Sequence, residues 1–127
     1  MAKQTISTQG APSSPLYSQG VQVGNTIHVS GMVGVDVTTQ ALAGATIQEQ
    51  TVQALRNCLA IVEAGGGCQD DIAQVMVLLA DPDDFAGMNQ AYATVFTTEP
   101  PTRSVAKLGV ELPGVLVSIL LTAYVGD

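Results

Sequence analysis

Two stretches of this chain, Ile72–Ala80 and Leu116–Val125, contain no charged residue and read as β-strands that are apolar on both faces. In the second, two-residue alternation puts Val117, Ile119, Leu121, Ala123 and Val125 on one face. Ser118, Leu120, Thr122 and Tyr124 occupy the other, which is only mildly polar. Strands of this kind need cover on both sides. The rest of the chain offers two helical segments, enough to cover one face of a sheet. Another copy of the same sheet is the simplest cover for the second face, so a homo-oligomer is expected.

The helical segments carry clear start signals. Thr46-Ile-Gln-Glu49 is a capping box, in which the threonine hydroxyl and the glutamate carboxylate each satisfy a free backbone N–H. Val52, Leu55, Leu59 and Val62 follow at helical spacing, and Gly65-Gly66-Gly67 ends the helix. Asp81-Pro82 opens a second helix, with Asp81 as cap and an apolar stripe of Phe85, Met88, Tyr92 and Val95/Phe96. Lys3–Ser7 reads as a short strand. Val21–Gly24 and Ile27–Gly31 read as a hairpin around Gly24-Asn25, and Gln9–Ser18 as a loop rich in proline and serine. Arg103–Val110 and Leu116–Val125 are strands separated by Leu112-Pro113-Gly114. The order is β-β-β-α-β-α-β-β, an α+β pattern with a six-stranded sheet and two helices on one face. The 127 residues fit a single domain, 1–127.

Charge narrows the partners. Lys3, Arg56, Arg103 and Lys107 face eleven acids, for a net charge of −7. Nucleic acids and acidic membranes are poor partners for such a chain, because phosphate binding needs clustered cations. Only 12% of residues are charged, about half the usual ~25%, which fits a surface partly hidden in an oligomer. No secretory signal or membrane-length apolar run is seen, and a cytoplasmic location is expected. Cys58 and Cys68 match no metal spacing. A disulfide between them is open on paper, but Cys58 sits in the helical pattern and reads as a small apolar residue, so a reduced pair is expected.

Arg103 is the outstanding candidate for chemistry. It starts a strand after Pro100-Pro101, on the same face as Val105 and Lys107. Two readings stand: a surface arginine paired with an acid, or a planar fork gripping a substrate carboxylate through two hydrogen bonds. His28 is the only histidine, so no histidine cluster can hold a metal; it reads as a surface or structural residue. Gly65-Gly66-Gly67 lacks the lysine of a phosphate cradle, and Asp81, Asp83 and Asp84 read as capping acids rather than a metal cluster. Tyr17 lies in the proline-serine loop, where it can pack or line a pocket.

Read together, five segments resemble the Rid family, the reactive-intermediate (enamine/imine) deaminases. They are APSSPLYSQGVQVGN (11–25), IHVSGMVGVD (27–36), QTVQALRNCLAIVEAGG (50–66), DIAQVMVLLADPDDFAGMNQAYATVF (71–96) and PPTRSVAKLGVELPGVLVSI (100–119). The last is the most specific, with Pro-x-Arg-Ser followed by a Leu-Pro-Gly turn. The resemblance implies a chorismate-mutase-like fold and a homotrimer, with the sheets forming a central barrel and substrate clefts between subunits. It implies that Arg103 binds the substrate carboxylate and that Tyr17, Ser30, Gly31, Asn89 and Val105 line the cleft. No metal or organic cofactor is implied. The implied reaction is hydrolysis of 2-imino or 2-enamino acids to 2-oxo acids and ammonia.

One position departs from the family. Where relatives of the deaminase branch carry a water-handling glutamate on the last strand, this chain has Ser118. A hydroxyl can orient water but is no base at neutral pH without a partner. Ser118 is therefore the candidate water-positioning residue. The alternatives are a non-deaminating, stress-protective trimer that binds small carboxylates, or a related enzyme acting on another imine or ring substrate. Ribonuclease activity, attributed to some relatives, is disfavoured by the −7 charge.

Overall fold

The computed structural model describes residues 2–126. Its strands are β1 (Gln4–Ile6), β2 (Gly20–Val23), β3 (Thr26–Val33), β4 (Val35–Asp36), β5 (Ala41–Leu42), β6 (Ile72–Leu79), β7 (Thr102–Lys107) and β8 (Val117–Tyr124). Its helices are α1 (Ile47–Ala64) and α2 (Phe85–Val95). The six-stranded sheet has the order β1-β2-β3-β8-β6-β7, and β4 and β5 form a separate two-stranded piece. Only β6 and β7 pair in parallel; the other pairings in the large sheet are antiparallel.

The connections explain the layering. β3 and β6 both run antiparallel to β8, so they are parallel to each other, with β8 between them. Parallel strands need a crossover, and α1 supplies it from β3 to β6 while α2 supplies it from β6 to β7. Both crossovers step the same way across the sheet. Since such crossovers are right-handed, both helices fall on one face and leave the other bare.

The sheet's helix face is the core. Ile27, Val29, Met32, Val75, Val77, Val117, Ile119 and Leu121 are buried there, beneath Ala54, Cys58, Ile61 and Val62 of α1. The opposite face keeps Met76 and Leu78 half-buried, and Leu120 and Tyr124 exposed, which is the mildly apolar surface the alternation predicts.

Local signals hold with some shifts. The capping box is present: Thr46 Oγ1 accepts from the Glu49 N–H at 3.1 Å, and Glu49 Oε1 accepts from the Thr46 N–H at 3.3 Å. Gly24, with φ 58°, makes the tight turn between β2 and β3. Three expectations change. Asp81 caps a short 3-10 turn, Pro82–Asp84, and α2 begins only after it. The buried face of α1 is rotated toward Thr51, Ala54 and Cys58, so Val52 and Leu59 are half-buried at its side. β7 ends at Lys107 rather than Val110, because Leu108 is the last residue to bond β6, through its N–H to Leu79 O at 2.8 Å. The β4–β5 pair was not expected; strands of two residues carry no readable alternation.

Buried amides tie loops to this frame. Gln50 donates to Gly44 O (3.0 Å) and Gly114 O (2.9 Å) and accepts from the Leu116 N–H (2.8 Å), so the Leu-Pro-Gly turn is fixed to the start of α1. Asn57 donates to Val33 O (3.0 Å) and Val35 O (2.8 Å), pinning the end of β3.

Both cysteines are free, Cys58 buried and Cys68 exposed. Burial pushes the Cys58 thiol well above the ordinary value of 9.0. The folded protein thus keeps a proton that the unfolded chain loses above about pH 9, so rising pH favours unfolding. Urea unfolding at pH 8 and at pH 10 should show stability falling, with a slope of at most about 1.4 kcal/mol per pH unit above the thiol's ordinary value. Cys58→Ala should be flatter over that range. An equal slope in parent and variant would show that Cys58 is not the group responsible.

Candidate functional site

Arg103 lies on β7, the edge strand of the sheet, directly opposite Val75 of β6, while Val105 lies opposite Val77. Val75 and Val77 are core residues, so Arg103 and Val105 point to the helix side. There α2 receives the guanidinium. Arg103 Nη1 donates to Asn89 Oδ1 at 2.7 Å and lies 3.9 Å from Met88 Sδ. The guanidinium carbon is 4.9 Å from the centre of the Tyr92 ring and 5.8 Å from that of Phe85. Among the described residues the polar and aromatic contacts of Arg103 are thus an amide oxygen, a thioether and two rings, none of them a carboxylate. Among the described residues these holders carry no charge of their own.

Ser118 lies on the other face. It pairs with Val33 of β3 and Leu78 of β6, in the set that alternates away from core residues Val117 and Ile119. It is buried nonetheless, at 8% exposure. The register of β3 against β8 shifts between Val29 and Met32, so Ser30 and Gly31 form a bulge beside Ser118. A bulge takes one residue out of the ladder and frees its backbone groups. A Cβ on Gly31 would lie 3.1 Å from Ser118 Oγ, so the lack of a side chain keeps this spot open. Ser30 Oγ donates to Ser18 O, tying the bulge to the loop that carries Tyr17, itself 45% exposed.

The seven sequence candidates therefore form two groups. Arg103, Asn89 and Val105 sit on the helix side of the β7 edge; Ser30, Gly31, Ser118 and the Tyr17 loop gather around the bulge of β3. Within one chain the sheet separates them.

Sequence reasoning missed three supports. Tyr92 belongs to the core, as the apolar stripe predicts, and its ring also faces the guanidinium; Phe85 of the same stripe faces it too but is 46% exposed. The available signal was the spacing 85, 89, 92, which places all three side chains on one face of α2. Gln19 is the third, buried at 4%. Its Nε2 lies within 3.0 Å of Thr8 O, Ala11 O and Pro12 O, and its Oε1 accepts from the Thr8 N–H at 2.7 Å. One amide thus holds the proline-serine loop against the sheet.

The remaining candidates fall away. His28 is exposed and pairs with Thr122, four residues along β8 from Ser118, or about 13 Å at strand spacing. It cannot act as a base for Ser118. Asp81, Asp83 and Asp84 surround the 3-10 turn; the Asp84 carboxyl is raised by partial burial and then by its two acidic neighbours. Among the described residues no group of three or more His, Cys, Asp or Glu could hold a metal ion. None of their helices is long and apolar enough to cross a membrane.

The family described as Endoribonuclease L-PSP matches residues 8–125. A RutC family protein of Saccharolobus solfataricus is 37% identical over 123 residues, covering 95% of this chain and 97% of its own. The 2-iminobutanoate/2-iminopropanoate deaminase of Mus musculus is 36% identical over 125 residues, covering 98% of this chain and 93% of its own. The crystal structure of E. coli TdcF with bound serine superposes with a TM-score of 0.89 at 33% identity, covering 95% of this chain and 98% of the other. A two-layer α+β fold of this topology, with these motifs along nearly its whole length, defines a class of small α+β proteins. The chain belongs to the Rid family, the family of the imine deaminases.

Replacement of Gln19 by alanine should strip partners from the Thr8 N–H and from carbonyls of Thr8, Ala11 and Pro12 at once. Each buried group left unpaired costs roughly 1–3 kcal/mol, reduced where water replaces the amide. Urea unfolding should show Gln19→Ala destabilised by about 2 kcal/mol or more, with faster proteolysis within residues 9–18. Unchanged stability would mean the loop is held by other contacts.

Proposed function

We propose that this protein binds small 2-imino and 2-enamino acids by their carboxylate at Arg103 and hydrolyses the C=N bond. The observation that carries this reading is the state of Arg103: a guanidinium held by neutral groups at 2.7–5.8 Å, with its charge available to an anionic ligand. A carboxylate suits the planar fork, which offers two parallel N–H donors where a lysine offers a point charge.

The chemistry asks little more. Water adds to the imine carbon, giving a carbinolamine. The nitrogen takes up a proton and leaves as ammonia, and the carbon–oxygen double bond of the 2-oxo acid forms. An imine is already reactive, so holding substrate and water together supplies much of the acceleration. On this reading Ser118 orients the water, helped by backbone groups of the Ser30–Gly31 bulge, and Tyr17 closes the cleft. Val105, beside Arg103 on the same face, contacts the substrate's carbon chain. No cofactor enters these steps.

The two residue groups lie on opposite faces of one sheet, so a complete site needs Arg103 from one copy and Ser118 from another. A homotrimer with its bare sheet faces turned inward provides that arrangement and covers Leu120 and Tyr124. The mouse relative's name and the serine bound to E. coli TdcF fit an amino-acid-derived ligand. RNA fits poorly, because Arg56 on α1 and Arg103 and Lys107 on β7 form no basic stripe against eleven acids.

Ser118 favours a second reading, a carboxylate-binding protein with little turnover. General acid–base help is worth ~10²–10⁴ in rate, and a neutral hydroxyl does not supply it. The test is release of 2-oxo acid from freshly generated 2-iminopropanoate and 2-iminobutanoate. Turnover should be slow in the parent protein and higher in Ser118→Glu, while Ser118→Gln, of similar size, shows no gain. Arg103→Ala should weaken binding by about tenfold to 150-fold, from the roughly 1.5–3 kcal/mol of a charged hydrogen bond, and Arg103→Lys should restore little. Carboxylate binding by Arg103→Ala equal to the parent's would overturn the proposal. A Ser118→Glu variant that binds substrate without faster turnover would favour the second reading.

A further inference from the structure

Arg103 is gripped by one face of α2, and the grip has a chemistry of its own. Phe85, Asn89 and Tyr92 stand at i, i+4 and i+7 and therefore line up along the helix. Asn89 fixes one terminal nitrogen by a 2.7 Å bond, and the rings of Tyr92 and Phe85 stand 4.9 Å and 5.8 Å from the guanidinium carbon. Both distances lie within the range where a ring face attracts a cation.

Core packing accounts for the burial of Tyr92 but not for the placing of Phe85. Phe85 is 46% exposed, so it does little to fill the core, and beyond the guanidinium it borders a cleft lined by Leu79, Pro82 and Val105. Tyr92 is buried, its ring lies 4.8 Å from that of Phe96 at a tilt of 41°, and its hydroxyl finds no partner among the described residues. Its ring is what the site uses. An aromatic wall holds a guanidinium without giving it a counter-charge. An aspartate or glutamate in that place would fix the side chain equally well but would compete with the substrate carboxylate.

Resting on the carboxylate reading above, we propose that Phe85 and Tyr92 are positioning residues: they hold the Arg103 guanidinium by its π-attracted face so that its free N–H edge is set for the ligand before binding. Neither touches the reacting atoms. The expected effect of losing them is therefore on ligand affinity and KM, with kcat largely kept, and aromatic character rather than side-chain volume decides the outcome.

The experiment compares Phe85→Leu, Tyr92→Leu and Tyr92→Phe with the parent protein and Arg103→Ala. Two quantities are measured: binding of 2-oxobutanoate, and rotation of the Arg103 guanidinium by ¹⁵N exchange NMR in ligand-free protein. Melting temperatures check the fold. The parent should show slow rotation. Tyr92→Leu and Phe85→Leu should speed it and weaken 2-oxobutanoate by about two- to thirtyfold, the span of cation–π contacts from exposed to desolvated. Tyr92→Phe, which keeps the ring and drops the unpaired hydroxyl, should match the parent within about twofold. Phe85→Leu is the safeguard should Tyr92→Leu fail to fold, since Phe85 is half in solvent. Rapid rotation in the parent, or leucine variants that bind and rotate like the parent while Arg103→Ala loses binding, would overturn this inference and leave the carboxylate reading standing. No binding of 2-oxobutanoate by the parent would overturn both.

Discussion

The structure depends on the direction of two crossovers. α1 carries the chain from β3 to β6 and α2 carries it from β6 to β7, both in the same sense across the sheet. Right-handedness then places both helices on one side. Everything distinctive about this molecule follows. One face becomes a closed core of aliphatic side chains. The other stays bare, carrying Met76, Leu78, Leu120 and Tyr124, and β7 is left as an open edge.

The same geometry divides the chemistry. Residues on the helix side of β7 meet α2, and α2 meets them with an amide, a thioether and two rings, which leave the Arg103 charge uncancelled. On the bare side, the bulge in β3 opens backbone groups beside Ser118, and Gly31, lacking a side chain, keeps the spot next to Ser118 Oγ open. In a chain with few cations and eleven acids, the groups described around this one arginine are thus neutral. The proposed oligomer is then more than a way to hide apolar surface, since it is what would bring charge clamp and water site together.

Much of this was legible in the sequence, for identifiable reasons. The capping box at Thr46, the glycine stop at Gly65 and the uncharged strands are local signals; the structure keeps them, the strands trimmed to Ile72–Leu79 and Val117–Tyr124. Alternation correctly put Arg103 and Val105 on one face. What failed was information carried by partners far along the chain. Phe85 reads as an apolar helix residue until Arg103 is seen beside it. Gln19 reads as a polar loop residue until its amide is seen bonded to Thr8, Ala11 and Pro12. That Ser118 and Arg103 lie on opposite faces depends on the register of β8 against β6 and of β6 against β7, which no single segment encodes. The two-residue strands β4 and β5 are too short to leave a pattern.

The central claim is that a working site joins the Arg103 side of one copy to the Ser118 side of another, and subunit mixing tests it most directly. Arg103→Ala lacks the clamp; Gly31→Leu fills the space beside Ser118. Each alone should bind 2-oxobutanoate at least about tenfold more weakly than the parent. Unfolded together in equal amounts and refolded, they should regain about one quarter of the parent's binding sites, the fraction of interfaces in a random cyclic assembly that pair an intact arginine with an intact cleft. No recovery in mixed oligomers of the parent's size would contradict the claim, because it would mean that both halves of the site must come from the same chain.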